Sequence, residues 1–157
     1  MDDPEIRVAT STQDFDAARV LFLDYAATFG LDFDFLDFEL ELSTLEHSYL
    51  APSGQIILLS DDEVEVGVIA IKKYDDEAAE LQRAYLKEAY WNDSHGPTLL
   101  AAGEKAARRM GYTSMLAHLL PSMNHLMDLC KASGFMPTPP FRFDSLPGSV
   151  FLRKELS

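Results

Sequence analysis

Apolar residues recur along this chain with two different periods, and the changes of period mark out its elements. In Glu5–Thr10, Ile6 and Val8 alternate with polar neighbours, which predicts a short strand. Ser11 and Asp14 follow with the spacing of a capping box, Asp standing for the usual Glu. Phe15, Ala18, Leu21, Phe22, Tyr25, Ala26 and Phe29 then form a helical stripe that stops at Gly30. A second helix is expected over Asp34–His47, with Phe35, Phe38, Leu42 and Leu45 inward. Gln55–Ser60 and Val64–Tyr74 read as apolar strands separated by the turn Asp61-Asp62-Glu63. Gly67, inside the longer strand, marks a bulge or a close backbone approach. After the polar connection Asp75-Asp76-Glu77, the next strand is Ala79–Lys87.

The period changes again beyond that strand. Leu99, Leu100, Gly103, Ala106, Ala107 and Met110 give one apolar helix face. Pro97 suits the first helical position, because the N–H it lacks would have had no partner there. Arg108 and Arg109 sit in the last turn, opposing the negative end of the helix dipole, and Gly111 can take the left-handed cap conformation. Thr113–Leu119 is the next strand, and a helix crossover predicts that it runs parallel to Ala79–Lys87. A last helix, Asn124–Ser133, ends at Gly134-Phe135. A loop feeding the helix at Pro97 would aim backbone N–H groups at one spot, which makes an anion site.

Composition narrows the classes. At 157 residues and 47% hydrophobic, one domain with a proper core is expected, spanning the whole chain. The net charge is −13, which argues against nucleic acid as the main partner and is compatible with attraction of cationic substrates. No apolar run is long enough for a membrane span, and Met-Asp-Asp-Pro-Glu has neither the basic region nor the apolar core of a signal peptide. One cysteine is consistent with a reducing cytoplasm. Histidines 47, 95, 118 and 125 lack the spacing of a zinc motif, so no metal is expected.

The segment Glu80–Tyr112 resembles the signature region of the GNAT superfamily of acetyl-CoA-dependent N-acetyltransferases. There a Leu-Tyr-Val-type strand leads into Arg/Gln-x-x-Gly-x-Gly/Ala. Here the strand core is Ala84-Tyr85-Leu86 and the loop is Trp91-Asn92-Asp93-Ser94-His95-Gly96, in which the final Gly matches. Trp91 replaces Arg or Gln, Ser94 replaces the middle Gly, and Asp93 brings a negative charge. Leu129-Cys130-Lys131-Ala132-Ser133-Gly134-Phe135 resembles the superfamily's Leu-Tyr-x-x-x-Gly-Phe, with Cys130 in place of Tyr. The resemblance implies an α/β (α+β) three-layer fold, its central mixed, twisted sheet of about six or seven strands flanked by helices. It also implies acetyl transfer from acetyl-CoA, as cosubstrate, to an amine of a small molecule or peptide, by a monomer or homodimer.

Site residues follow from the same resemblance. Glu80 is the candidate general base, a carboxylate on the strand that feeds the loop; the alternative is a strand-end carboxylate or a partner for Arg83. Backbone groups of Ala84, Tyr85 and Leu86 would polarise the thioester carbonyl, or else belong to an ordinary strand. Asn92, Ser94, His95, Gly96 and Thr98 would hold the pyrophosphate. Against this, Asp93 or Ser94 can cap the helix and occupy the same N–H groups. Cys130 stands where a proton donor to the leaving thiolate is implied, and equally suits a small buried residue. His118 faces either the cleft or a strand end. Acids at 32, 34, 37, 39 and 41 read as a solvated helix face or an acceptor pocket; Phe33, Phe35, Phe38 and Tyr49 as core or an aromatic wall. Two functions remain open at this point, an N-acetyltransferase and a non-catalytic acyl-CoA sensor or interaction protein.

Overall fold

In the computed structural model, which describes residues 5–29, 43–45, 49, 54–91, 94–141 and 148–156, the first helix starts where the capping box predicts. α1 spans Thr12–Thr28. The Asp14 N–H donates to Ser11 Oγ at 3.1 Å, and Asp14 Oδ2 accepts from the N–H groups of Thr10 and Ser11 at 3.1 and 3.4 Å. Arg7, on strand β1 (Glu5–Val8), fastens this helix start to the sheet. Its guanidinium donates to Asp14 at 2.8 Å, to Ser60 Oγ at 2.8 Å and to Glu65 at 2.6 Å. Burial raises the Asp14 carboxyl, but the bonds from Arg7 and the two backbone N–H groups outweigh it and hold the group below its usual range. Asp14→Ala is therefore expected to destabilise the protein at neutral pH. The gap should close as pH falls through the depressed folded-state value, where both carboxyl states become protonated. Thermal melts at pH 7 and pH 2.5 test this; a gap unchanged at the lower pH would detach Asp14 from the role.

The apolar stripe of α1 is buried at Phe15, Ala18, Leu21, Phe22, Tyr25 and Ala26, as its spacing requires. These side chains pack on one face of the sheet, against Ile56, Leu58, Val68 and Ala70. The opposite face, including Ile57, Ile69, Ile71, Ala79 and Leu81, packs under α2 (His95–Arg109) and α3 (Asn124–Ala132). The residues thus form three layers, helix on sheet on helix.

Seven strands form the sheet: β1, β2 (Gly54–Asp61), β3 (Val64–Lys73), β4 (Ala78–Leu86), β5 (Ser114–Leu119), β6 (Met136–Pro137) and β7 (Val150–Glu155). Their order is β1-β2-β3-β4-β5-β7-β6. β4 and β5 pair parallel, as the crossover through α2 requires; the other described pairs are antiparallel. Gly67 meets both expectations. The β2–β3 register shifts beside it, between Leu59 and Ser60, and a Cβ there would lie 3.3 Å from the backbone carbonyl oxygen of Tyr85, besides 3.0 Å from Leu86 Cδ1.

Some expectations change. α2 begins at His95, so Pro97 is its third residue and not its first. This costs the helix nothing, because the third N–H also lacks an intrahelical acceptor. A 3₁₀ turn, Glu88–Tyr90, that the periodicity does not reveal follows β4. The predicted second helix falls mostly outside the described residues, as do the acids at 32, 34, 37, 39 and 41 and Phe33, Phe35 and Phe38; Leu45 and Tyr49, which are described, are buried. No helix among the described residues is long and apolar enough to cross a membrane.

Candidate active site

The sheet opens where β4 and β5 part. They pair from Ala78 opposite Ser114 to Leu81 opposite Ala117, and no further. Just beyond, β4 carries a bulge. Val68 pairs with Tyr85 and Ala70 with Gln82, so Ile69 faces two residues, Arg83 and Ala84. Arg83 takes a left-handed conformation (φ 52°), which is unfavourable for a residue with a Cβ. Its guanidinium lies 5.9 Å from the centre of the Tyr25 ring on α1. The bulge turns β4 away from β5 and opens a V between strands whose carboxyl ends point the same way.

The cleft in that V encloses about 240 Å³. One wall is Ala84, Tyr85 and Leu86 of β4; the other is Ser122–Leu126, leading into α3. Thr28 and Phe29, at the end of α1, and Glu88 and Trp91, after β4, complete the lining. Among the described lining residues there is no Lys or Arg, and Glu88 is an acid. The Tyr85 hydroxyl accepts a long bond from Thr28 Oγ1 (3.5 Å).

The start of α2 borders this cleft. Its first helical bond runs from the Thr98 N–H to Ser94 O at 3.0 Å, so the Gly96 N–H precedes the helical ladder. Ser94 is the N-cap residue, but its side chain makes no capping bond, which removes it from the two capping candidates, Asp93 and Ser94. Its backbone is αR, a conformation that does not aim Oγ back at the helix amides. Trp91 packs over this turn; a Cβ on Gly96 would meet the indole at 3.5 Å. Below Trp91, an apolar crevice of about 10 Å³ runs between Ile69, Leu99, Leu126 and Leu129, room for one water at most.

The fold thus brings Ala84, Tyr85, Leu86 and Gly96 to one place, with Ser94 and Thr98 on the adjoining turn. Asn92 and Asp93 lie outside the described residues. His95 does not line the cleft: it is buried, with Nε2 3.6 Å from Asp61 Oδ2 and its ring 5.0 Å from that of Tyr90. His118, on β5, stacks on Phe151 at 4.6 Å. Glu80 is buried one residue before the strands part, opposite Lys72 on β3 and Leu116 on β5. Lys72 lies over the Tyr49 ring, 5.8 Å from its centre, and Tyr49 donates to Gln82 Oε1 at 3.0 Å, so Glu80 and Gln82 share the face of β4 that looks toward α1.

Cys130 lies away from the cleft, in the core beneath α3. Burial, with Glu104 nearby, pushes its thiol up to about 12. The thiolate is disfavoured in the native state, so this stability is complete below the unfolded thiol value, about 8.5, and is lost as pH rises toward the folded one. Native protein at pH 8 is expected to resist iodoacetamide and to react on unfolding in urea. Rapid native alkylation would put Cys130 within reach of solvent and return it to the mechanism.

Sequence reading missed the other wall. Ser122, Asn124 and His125, with Glu88 beside them, reach the cleft because they follow parallel strands, whose carboxyl ends flank a crevice. The predicted β4–β5 parallel pairing was the signal that could have found them.

Comparison with known proteins places this geometry. An uncharacterized N-acetyltransferase of Schizosaccharomyces pombe is 26% identical over 147 residues, 92% of this chain and 90% of that protein. A GNAT-family acetyltransferase of Staphylococcus aureus has the same fold, with a TM-score of 0.81 at 18% identity over 99% of this chain and 100% of that one. A putative acetyltransferase of Salmonella typhimurium, solved with acetyl-CoA, superposes with a TM-score of 0.68 at 18% identity, over 99% and 95% of the two chains. Residues 19–135 match the acetyltransferase (GNAT) family, three quarters of the sequence and every wall of the cleft, and the chain belongs to that family.

Proposed function

We propose that this acetyltransferase moves the acetyl group of acetyl-CoA to an amine of a small molecule or peptide, by direct attack within a ternary complex. The observation that carries the reading is the bulged, splayed β4, which leaves backbone of Ala84–Leu86 without a strand partner on the β5 side and beside the first turn of α2. That open edge suits a thioester: its N–H groups polarise the carbonyl as charge develops on oxygen. Amides at Ser94–Gly96 and the Thr98 hydroxyl suit the pyrophosphate. Asn92 belongs to the same loop.

Glu80 acts as the base. It stands about 7 Å along the strand from Gln82, where β4 and β5 have parted, a span that one carboxylate side chain and one water can cover. The amine gives a proton to this carboxylate through the water, and its nitrogen bonds to the carbonyl carbon. The C–S bond breaks and the thiolate leaves, taking a proton from solvent. Cys130 has no part in this scheme. A cleft whose described lining carries Glu88 and no Lys or Arg favours a cationic acceptor and weakens the hold on the donor.

Thiol release from acetyl-CoA in the presence of a panel of primary amines tests the reading. Acetyl-CoA-dependent turnover with a cationic amine supports it. Tight acetyl-CoA binding with no turnover on any amine would favour the non-catalytic sensor.

A further inference from the structure

His125, the second residue of α3, lies on the cleft wall facing β4, and the acetyl-transfer scheme gives it no task. Its ring lies nearly parallel to that of Trp91, with centroids 5.1 Å apart and 13° between the planes. Trp91 is backed in turn by Gly96 on the first turn of α2. Glu88 Oε1 stands 3.7 Å from His125 Nε2, on the edge of the ring. The inner ring is packed and the outer one is held on two sides, yet 54% of the His125 side chain remains exposed. A fixed aromatic pair with one open face is a stacking platform, and every nucleobase has a π-face to offer it. Its surroundings do not suit a bare anion, for the described lining carries Glu88 and no Lys or Arg.

We propose that His125, backed by Trp91, seats the adenine of the acyl donor. The protein then recognises a free coenzyme nucleotide and not a pantetheine arm alone. This rests on the acetyl-transfer reading, which sets the pyrophosphate at the start of α2. Adenosine is bonded to that pyrophosphate, and Trp91, with His125 stacked on it, packs against this turn. The base adds a third ring to the existing stack, while the pantetheine arm runs along Ala84–Leu86.

Titration calorimetry with acetyl-CoA, adenosine bisphosphate and S-acetylpantetheine tests the proposal on the unmodified protein, His125→Ala and His125→Phe. His125 is largely exposed, so neither change threatens the fold. His125→Ala should weaken acetyl-CoA and adenosine bisphosphate by about tenfold or more and leave S-acetylpantetheine unchanged; His125→Phe should restore binding. Trp91 is the sole tryptophan, so its fluorescence should respond to adenosine bisphosphate and not to S-acetylpantetheine. Equal loss for S-acetylpantetheine, no loss for any ligand, or no rescue by Phe would overturn the platform while leaving acetyl transfer standing. If the unmodified protein binds none of the three, the donor reading falls and the platform with it.

Discussion

Glu80→Gln is expected to lower turnover about 10²–10⁴-fold while acetyl-CoA affinity stays within about twofold. The change is isosteric, so the buried site keeps its packing. What goes is the capacity to take a proton from the attacking amine, which must be neutral to form the new C–N bond. Donor affinity should hold because Glu80 lies before the strands part, whereas the proposed donor contacts lie from Ala84 onward and at the start of α2. The deficit should narrow at high pH, where free amine no longer needs a base. Steady-state rates with saturating amine, from pH 6 to pH 10, together with calorimetry for acetyl-CoA, measure both halves. Unchanged turnover removes Glu80 from the mechanism. A deficit equally large at every pH would mean that the carboxylate positions the acceptor instead.

The second large effect concerns stability. Lys154→Met is expected to cost about 3–5 kcal/mol. Glu104, on α2, is buried, and Lys154 Nζ on β7 donates to its Oε1 at 2.6 Å. Arg108, one turn along α2, comes only to 3.8 Å. Removing Lys154 leaves a carboxylate out of water with its nearest cation gone. Pairing the change with Glu104→Leu should recover most of the loss, because a buried ion pair replaced by apolar side chains is often close to neutral. Urea unfolding of both single variants and the double variant gives the coupling. Additive losses would show that the two side chains act independently, and a cost below about 1 kcal/mol for Lys154→Met alone would match an exposed pair instead.

The buried face of α1 was legible because a helix buries what recurs at three and four residues, and the capping box because its partners lie three residues apart. β4, α2 and the parallel β5 were legible for similar reasons, since a crossover helix leaves few ways to return to a sheet. The site was less so. Ala84–Leu86 and Gly96 came from motif position, which follows the chain. The opposite wall, Ser122–Leu126, comes from a segment far along the chain and meets the first only because β4 and β5 are neighbours. Cys130 matched a motif position but lies in the core with Leu126, four residues earlier on the same helix face.

What the sequence alone determined was what depends on near neighbours: the periods, the capping box, the strand–loop–helix order and the charge. Tertiary structure alone decided the bulge at Arg83, the parting of the strands after Leu81, the stack of His125 on Trp91 and the pairing of Glu104 with Lys154. Each of these joins residues that local preference does not link. Arg83 shows why most plainly: its left-handed backbone opposes its own intrinsic preference and is held by the sheet and by packing near Tyr25.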